Sequence, residues 1–527
     1  VVAFAVYAPA LRGGFVSDDV LYVSQNPWVK SLDAASVRVL IDPAGPPARE
    51  TQNWAPLHLL AHALQWQIHG DRVAAHHVTN VVVHTVVSVL LTALLAVSGV
   101  PRLAALVGGF VFLVHPANVE AVAWITQLKT TASTALAISA LLAWWRSPWF
   151  GALLFAAALL FKPTAAFALP VVLLFAWAKT REQALPRSVV VGLVVWIACL
   201  GTYSVVQMPL LEGNRFVVEP VDPDPGVRAR TMLAIFGRYL AMAATGAGTA
   251  TFQDLPPARS WLDPWWIGGL VALVAIAARG ALGFLRRRTE AAYWAWSVAA
   301  FVPVSQVIPF VYPIADRYLY TILPGLLGGV LLAAREWLLE PFARSSRPLR
   351  VAIGAAVVVL AGLFSIQSHQ RAKLWRDSVF VHADSAQRFP DGLIAQVLRA
   401  QAAAREGDAE GTARALRAAA ERGFDRYDQL LVQPFYDPVR DHPAFQAVVR
   451  DLARKWADHE ADFTRPTQRE LRGFAQARLA LGEHAEAERL LGRALEVGGF
   501  EDDAVRRELE AVRARARLRE GRVPAGR

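Results

Sequence analysis

Leu103-Ala-Ala-Leu-Val-Gly-Gly-Phe-Val-Phe-Leu-Val-His115-Pro116-Ala-Asn-Val-Glu120-Ala-Val-Ala-Trp124 is the stretch that decides how the chain folds. Residues 103–114 are wholly apolar, yet a helix of that length rises only about 18 Å, short of the roughly 30 Å core of a bilayer. The run breaks at His115-Pro116, where proline removes a backbone donor, and resumes through Glu120 into a second apolar segment, 119–145. Another break falls at Lys162-Pro163. Interrupted backbone is tolerated at membrane depth only where it lines a protein-enclosed or wet cavity. These runs predict an all-α polytopic membrane bundle with polar groups gathered inside it.

Outward from this stretch, apolar segments recur at about 78–98, 149–161, 164–178, 188–208, 264–284, 291–311, 318–334 and 350–366. With Val1–Leu11, which reads as a first span cut short, they make about eleven spans. Composition agrees: 54% of the 527 residues are hydrophobic and 19% charged, against about 25% charged in soluble domains. The formal charge of +10 points to membrane topology rather than nucleic acid, because much of the Lys/Arg excess falls in short loops or in the tail. One set of loops carries Arg102, Arg146, Lys179, Arg181, Arg187, Arg286–Arg288, Arg335, Arg344, Arg347 and Arg350. Short basic loops belong on the cytoplasmic side. The other set therefore faces outward: the long 12–76 stretch, His115–Lys129, Lys162, the 209–260 region, Ser305–Tyr320 and everything beyond 367. This parity treats 228–248 as interfacial or re-entrant. Residues 57–69 read as an amphipathic helix lying in the interface. Cys199 stands alone inside an apolar run, which excludes disulfide frameworks and cysteine metal sites.

Residues 1–366 thus form the membrane domain and 367–527 a soluble one. In the tail, Ala400-(x)6-Gly407-(x)8-Leu416-(x)2-Ala419 is echoed by Ala475-(x)6-Gly482-(x)8-Leu491-(x)2-Ala494. Each reads as helix, glycine turn, helix, at the spacing of a tetratricopeptide unit. Two units are fewer than the three or so a free-standing array needs, so they lean on residues 424–468 or on the membrane domain.

Seven motifs in order carry a family resemblance: Phe15-Val-Ser-Asp18-Asp19; Asn53-Trp-Ala-Pro-Leu57; His76-His77-Val-Thr-Asn80-Val-Val-Val-His84; Leu113-Val-His115-Pro116-Ala-Asn-Val-Glu120-Ala-Val-Ala-Trp124; Phe161-Lys162-Pro163; Ala315-Asp316-Arg317-Tyr318-Leu-Tyr320; and Leu374-Trp375-Arg376-Asp377-Ser378. Over nearly its whole length the chain resembles membrane proteins that join a GT-C glycosyltransferase core to tetratricopeptide repeats, among them bacterial members and the animal transmembrane O-mannosyltransferases. The resemblance implies an inverting transfer of a sugar, mannose being one candidate, from a polyprenyl-phosphate carrier to an acceptor hydroxyl, protein Ser or Thr foremost. It implies the non-cytoplasmic face, and the Ala/Arg-rich composition suggests a bacterial inner membrane with its periplasmic side. The repeats would hold the protein acceptor. One motif departs from the pattern: after Trp124, bacterial relatives often carry a basic–acidic pair, where this chain has Gln127-Leu128-Lys129-Thr130.

That chemistry assigns roles. A carboxylate must take the proton of the attacking hydroxyl, and Asp18 or Asp19 is the candidate, the plain alternative being a helix cap in a wet loop. Repulsion between the two would raise one pKa. Glu120 and His115, about a turn apart, would orient the acceptor or hold a divalent ion; otherwise His115 caps a broken helix. No His/Asp/Glu set has strong metal-site spacing, so no metal site is assigned. Lys162 and Arg317, with Lys129 behind them, are the phosphate candidates, and Asp316 and Tyr318 flank them. Asp316 and Arg317 pairing with each other is the bland alternative. His76, His77, Asn80 and His84 read as a polar stripe that packs helices. Two other functions compete: a non-catalytic envelope scaffold, which would tolerate alanine at Asp18, Glu120 and Lys162, and a lipid-linked glycan transporter, which would show repeated halves.

Overall fold

The computed structural model describes residues 1–212, 221–307 and 313–520. It is all-helical, with no strand among the described residues. The apolar segments become helices of unequal length. Val73–Val97, Arg187–Leu210, Pro264–Leu285 and Arg347–Arg376 are each long and apolar enough to cross a membrane. Arg102–Val114 with Pro116–Ala123, and Asp316–Ala333 with Arg335–Phe342, are pairs bent by 50° and 55°. Pro148–Phe161 and Pro163–Lys179 are shorter apolar helices on either side of the second break. The predicted 291–311 segment is helical over Glu290–Phe301, and its residues 308–311 lie outside the described residues, as do 213–220 of the 209–260 region.

Close packing explains where small residues fall. Gly325, Gly328 and Gly329 face Ser297, Tyr293 and Trp294; a Cβ on Gly328 would stand 2.0 Å from the Tyr293 ring. The polar stripe of Val73–Val97 packs helices too. His84 donates from Nε2 to the Leu113 carbonyl (3.0 Å) and accepts at Nδ1 from the Tyr320 hydroxyl (2.9 Å). The Asn80 amide donates to the Trp124 and Ile125 carbonyls.

The two sets of loops sorted by charge segregate to opposite ends. At one, Arg288 pairs with Glu336 (3.1 Å), Arg287 stacks on Trp177, and Lys179 lies over Trp145. At the other meet the 12–76 stretch, the 115–130 turn, Lys162, residues 249–254 and the start of Asp316–Ala333, together with the soluble helices. Helix Pro225–Thr245 begins and ends on that second side: Arg230 Nε donates to Ala258 O, and Ala243 O accepts from His115.

Within the 12–76 stretch, the expected amphipathic segment is the helix Pro56–His69. His58, His62 and Gln65 are buried, whereas Leu64 and Ile68 are exposed. Its buried face mixes His58, His62 and Gln65 with Leu59 and Ala63.

Beyond Ala372 the helices pair as the repeat spacing predicts. Leu393–Arg405 and Ala409–Ala420 turn at Gly407 (φ 76°); Gln468–Ala480 and His484–Val497 turn at Gly482 (φ 86°), a left-handed conformation natural to glycine. Ala400, Leu416, Ala419, Ala475, Leu491 and Ala494 are all fully buried. Pro443–His459 fills the space between the pairs, with Trp456 against Tyr427 and Phe474. The repeats also touch the membrane domain, through Trp28 on Phe500 and the Arg469 amide donating to Glu50.

Candidate functional site

The site is built at the turn Trp124–Lys129, where the helix broken at Pro116 ends and Leu128–Ala143 begins. The first loop reaches it through Ser17, whose φ of 54° turns the chain tightly. Asp19 is 1% exposed and receives two amides: Val16 N at Oδ2 (3.0 Å) and Thr126 N at Oδ1 (2.8 Å). The second is an orphan donor at a helix start, where a carboxylate is favoured. Trp124 Nε1 donates to Val16 O (3.1 Å), fixing the loop a second time. Burial raises the Asp19 carboxyl to about 7; the two amides pull it down, and Asp18's charge adds a small rise. Asp18 stands beside it, half-buried.

Lys162, at the second break, donates from Nζ to Thr130 Oγ1 (2.7 Å), which donates to Gln127 Oε1 (2.7 Å). The charged groups acting on Lys162 are Lys129, Arg317 and Glu120. Lys129 lies 4.6 Å above the Tyr22 ring, and Tyr22 packs on His58. His58 and His62 meet at Nε2 (2.9 Å). Burial holds both imidazoles neutral, His62 down at about 3 and His58 well below its ordinary value; Lys129 pushes each the same way.

Glu120 is buried and takes Arg317 twice, the backbone N at Oε2 (2.9 Å) and Nη1 at Oε1. The guanidinium lies over Trp124 (5.5 Å) and Tyr318 (4.8 Å), and Nη2 donates to the Tyr318 hydroxyl (3.3 Å). Arg317 is thus anchored to a carboxylate rather than standing open to a phosphate.

Two expectations are corrected. Asp316 does not pair with Arg317 and does not reach into the site: Oδ2 accepts from Arg371 Nη2 (2.8 Å), and Oδ1 from Ala250 N and Gln253 Nε2. His115 does not share a cavity with Glu120. Its Nδ1 accepts from Ala117 N (3.2 Å), so Nε2 carries the proton and donates to Ala243 O (3.1 Å). One ring nitrogen serves the backbone of the break and the other the last turn of Pro225–Thr245. Among the described residues no three His, Cys, Asp or Glu gather as ligands for a cation.

The structure therefore brings together Asp18, Asp19, Lys129, Lys162, Glu120, Arg317 and Tyr318, and leaves His115 and Asp316 behind the walls. Thr126, Thr130, Gln127, Tyr22, His58 and His62 join them. His58 and His62 were visible at i, i+4 spacing; the Thr126 contribution is a backbone amide, which no residue type announces.

Part of the chain is similar to a known O-mannosyltransferase. Over 178 residues it is 30% identical to Protein O-mannosyl-transferase Tmtc1 of Drosophila melanogaster, covering 32% of this chain and 21% of that protein. The chain thus spans about a fifth of that relative's length. No family profile and no solved structure matches. Over that stretch, the similarity supports the kinship with transmembrane O-mannosyltransferases drawn from the motifs, and with the apolar helices it supports an integral membrane protein.

Proposed function

We propose that this chain is a membrane glycosyltransferase moving a sugar, mannose first among candidates, from polyprenyl phosphate to a protein Ser or Thr hydroxyl on the non-cytoplasmic face. One observation carries the reading. A carboxylate pair, two lysines that pair with no carboxylate among the described residues and the Glu120–Arg317 pair gather at the Trp124–Lys129 turn, on the side where the soluble helices dock. Polar groups this concentrated in an apolar bundle are expensive to keep, and an anchor does not need them.

Asp19 spends both oxygens on amides, so Asp18 is the carboxylate left to act as base. The acceptor oxygen attacks the anomeric carbon while its proton passes to Asp18. The bond from that carbon to the phosphate oxygen breaks, and the electron pair leaves on the phosphate. Direct attack inverts the anomeric configuration. Lys162 and Lys129 stabilise the charge that develops on the departing group. Arg317, clamped to Glu120, forms a fixed wall over Trp124 and Tyr318. The neutral His58–His62 pair supplies hydrogen bonds without adding charge beside two lysines.

The test uses the full chain in nanodiscs with a synthetic polyprenyl-phosphate mannose and a Ser/Thr peptide, transfer being read by mass. Wild type is expected to add one hexose, and Asp18→Asn to lose about 10²- to 10⁴-fold, the range of a general base. Full transfer by Asp18→Asn would remove it as the base. Absence of product with mannose and other hexose donors, with Asp18→Asn fully complementing a deletion strain, would overturn the enzyme reading in favour of a scaffold.

A further inference from the structure

The motif Leu374-Trp375-Arg376-Asp377-Ser378 lies past the last span and takes no part in the chemistry above, yet it touches both the Trp124 turn and the chain that leads into the Asp18-Asp19 loop. Trp375 is buried and stacks on Trp124 (centroids 5.3 Å, 24° between planes). Trp124 is the residue that holds Val16 by its indole N–H and carries Arg317 over its ring. Arg376 reaches the chain just before the acidic loop: its carbonyl accepts from Gly14 N (3.1 Å) and its Nε donates to Pro9 O (3.2 Å). Between these contacts Gly13 lies so close that a Cβ would stand 2.8 Å from the Trp375 carbonyl oxygen and 3.0 Å from the Arg376 Cα. Those are backbone atoms that cannot swing aside. One turn earlier, Arg371 grips Asp316 and the Thr249 carbonyl (2.9 Å), setting the residue next to Arg317.

The geometry points to Trp375, with Gly13 opposite it, as positioning residues that hold the Asp18-Asp19 loop and the Trp124 turn in register. On this inference the segment joining the membrane bundle to the soluble helices is part of the site's framework rather than a passive linker. It rests on the transferase reading only for its effect on turnover; the positioning itself is a statement about the loop.

The indole N–H of Trp375 has no hydrogen-bond partner among the described residues, so Trp375→Phe keeps the stack and costs no bond, whereas Trp375→Ala removes the stack. Gly13→Ala attacks the same contact from the loop side. The full chain in nanodiscs is compared as wild type, Trp375→Phe, Trp375→Ala and Gly13→Ala, by amide exchange over residues 15–20 and 124–127 across pH 5–9. In Trp375→Ala and Gly13→Ala, exchange in both segments should rise together. The pH midpoint of loop exchange should fall below that of wild type, as water reaches Asp19. Trp375→Phe should match wild type. In the transfer assay the two disruptive variants should lose about 100-fold, the scale of a misplacement of about 1 Å, with Trp375→Phe retained. Unchanged exchange and an unchanged midpoint in Trp375→Ala would overturn the inference. So would a loss spread evenly over the whole chain, which marks general unfolding. If wild type transfers no sugar but the local exchange pattern appears, the transferase reading fails and the positioning stands.

Discussion

The breaks at His115-Pro116 and Lys162-Pro163 start from one sequence device, a proline that interrupts an apolar helix, and end differently. At the first, the titratable side chain is absorbed, and only an uncharged amide oxygen, Asn118 Oδ1, is left without a partner among the described residues. The His115 ring serves Ala117 N and Ala243 O, and the Asn118 amide donates to Phe112 O (2.7 Å). At the second, the backbone is repaired as well, Lys162 N donating to Ala158 O and its carbonyl accepting from Ala165 N. The side chain is not. Its ammonium meets one neutral hydroxyl and faces two like charges, against a carboxylate already clamped by Arg317. A proline break therefore reports where backbone must be repaired, whereas function is read from the charge that remains once the repair is made.

Lys162 offers the largest effect with which to break that comparison. Lys162→Met fills the same volume without the charge. Transfer should fall by about 100-fold or more, as when a preorganised stabilising donor is lost. Thermal unfolding of the purified chain should hold or shift upward, because a half-buried cation that has no carboxylate partner among the described residues is removed. A drop in unfolding temperature with transfer intact would make Lys162 a structural group and erase the contrast with His115.

Asp19 gives a smaller, pH-dependent effect. Its carboxyl is raised from 3.8 to about 7, chiefly by burial. The folded loop therefore favours the protonated form: stability from this group is complete below about pH 4 and is lost as pH rises through about 7. Exchange of residues 15–20, corrected for the intrinsic rate, should be faster at pH 8 than at pH 5. Asp19→Asn should flatten that dependence and spare more transfer than Asp18→Asn does. A wild-type loop indifferent to pH would mean that water already reaches Asp19.

Much of the scaffold was legible because helical signals are local. Apolar run length, the prolines at 116 and 163 and the Gly407 and Gly482 turns each act within a few residues. The charge of short loops sorted the two ends correctly because basic residues cluster by side. Partners distant in sequence were not legible. Glu120 and Arg317 meet across 197 positions, and Thr126 contributes only an amide. The pairing of Asp316 with Arg317 could have been refused from geometry alone, since successive residues at a helix start point about 100° apart and do not face each other. Each instead took its partner from another element, Arg371 for one and Glu120 for the other. The inward face of Pro56–His69 was not legible for a related reason: its period is helical whichever face turns inward, and partners such as Tyr22 and Lys129 decide it.

His115 closes the comparison with the smallest expected effect on transfer. His115→Leu leaves Ala117 N and Ala243 O without their partner in a buried turn, at a cost of about 1–3 kcal/mol each. The purified variant should unfold at lower temperature while retaining transfer within a few fold, the reverse of Lys162→Met. His115→Asn, whose side-chain oxygen can still accept from the amide two residues on, should recover part of the lost stability. The two variants separate repair from chemistry at this break. If His115→Leu lost transfer about as severely as Asp18→Asn while its unfolding temperature stayed put, the imidazole would belong to the reacting groups. The two breaks would then be alike in function as they are in sequence.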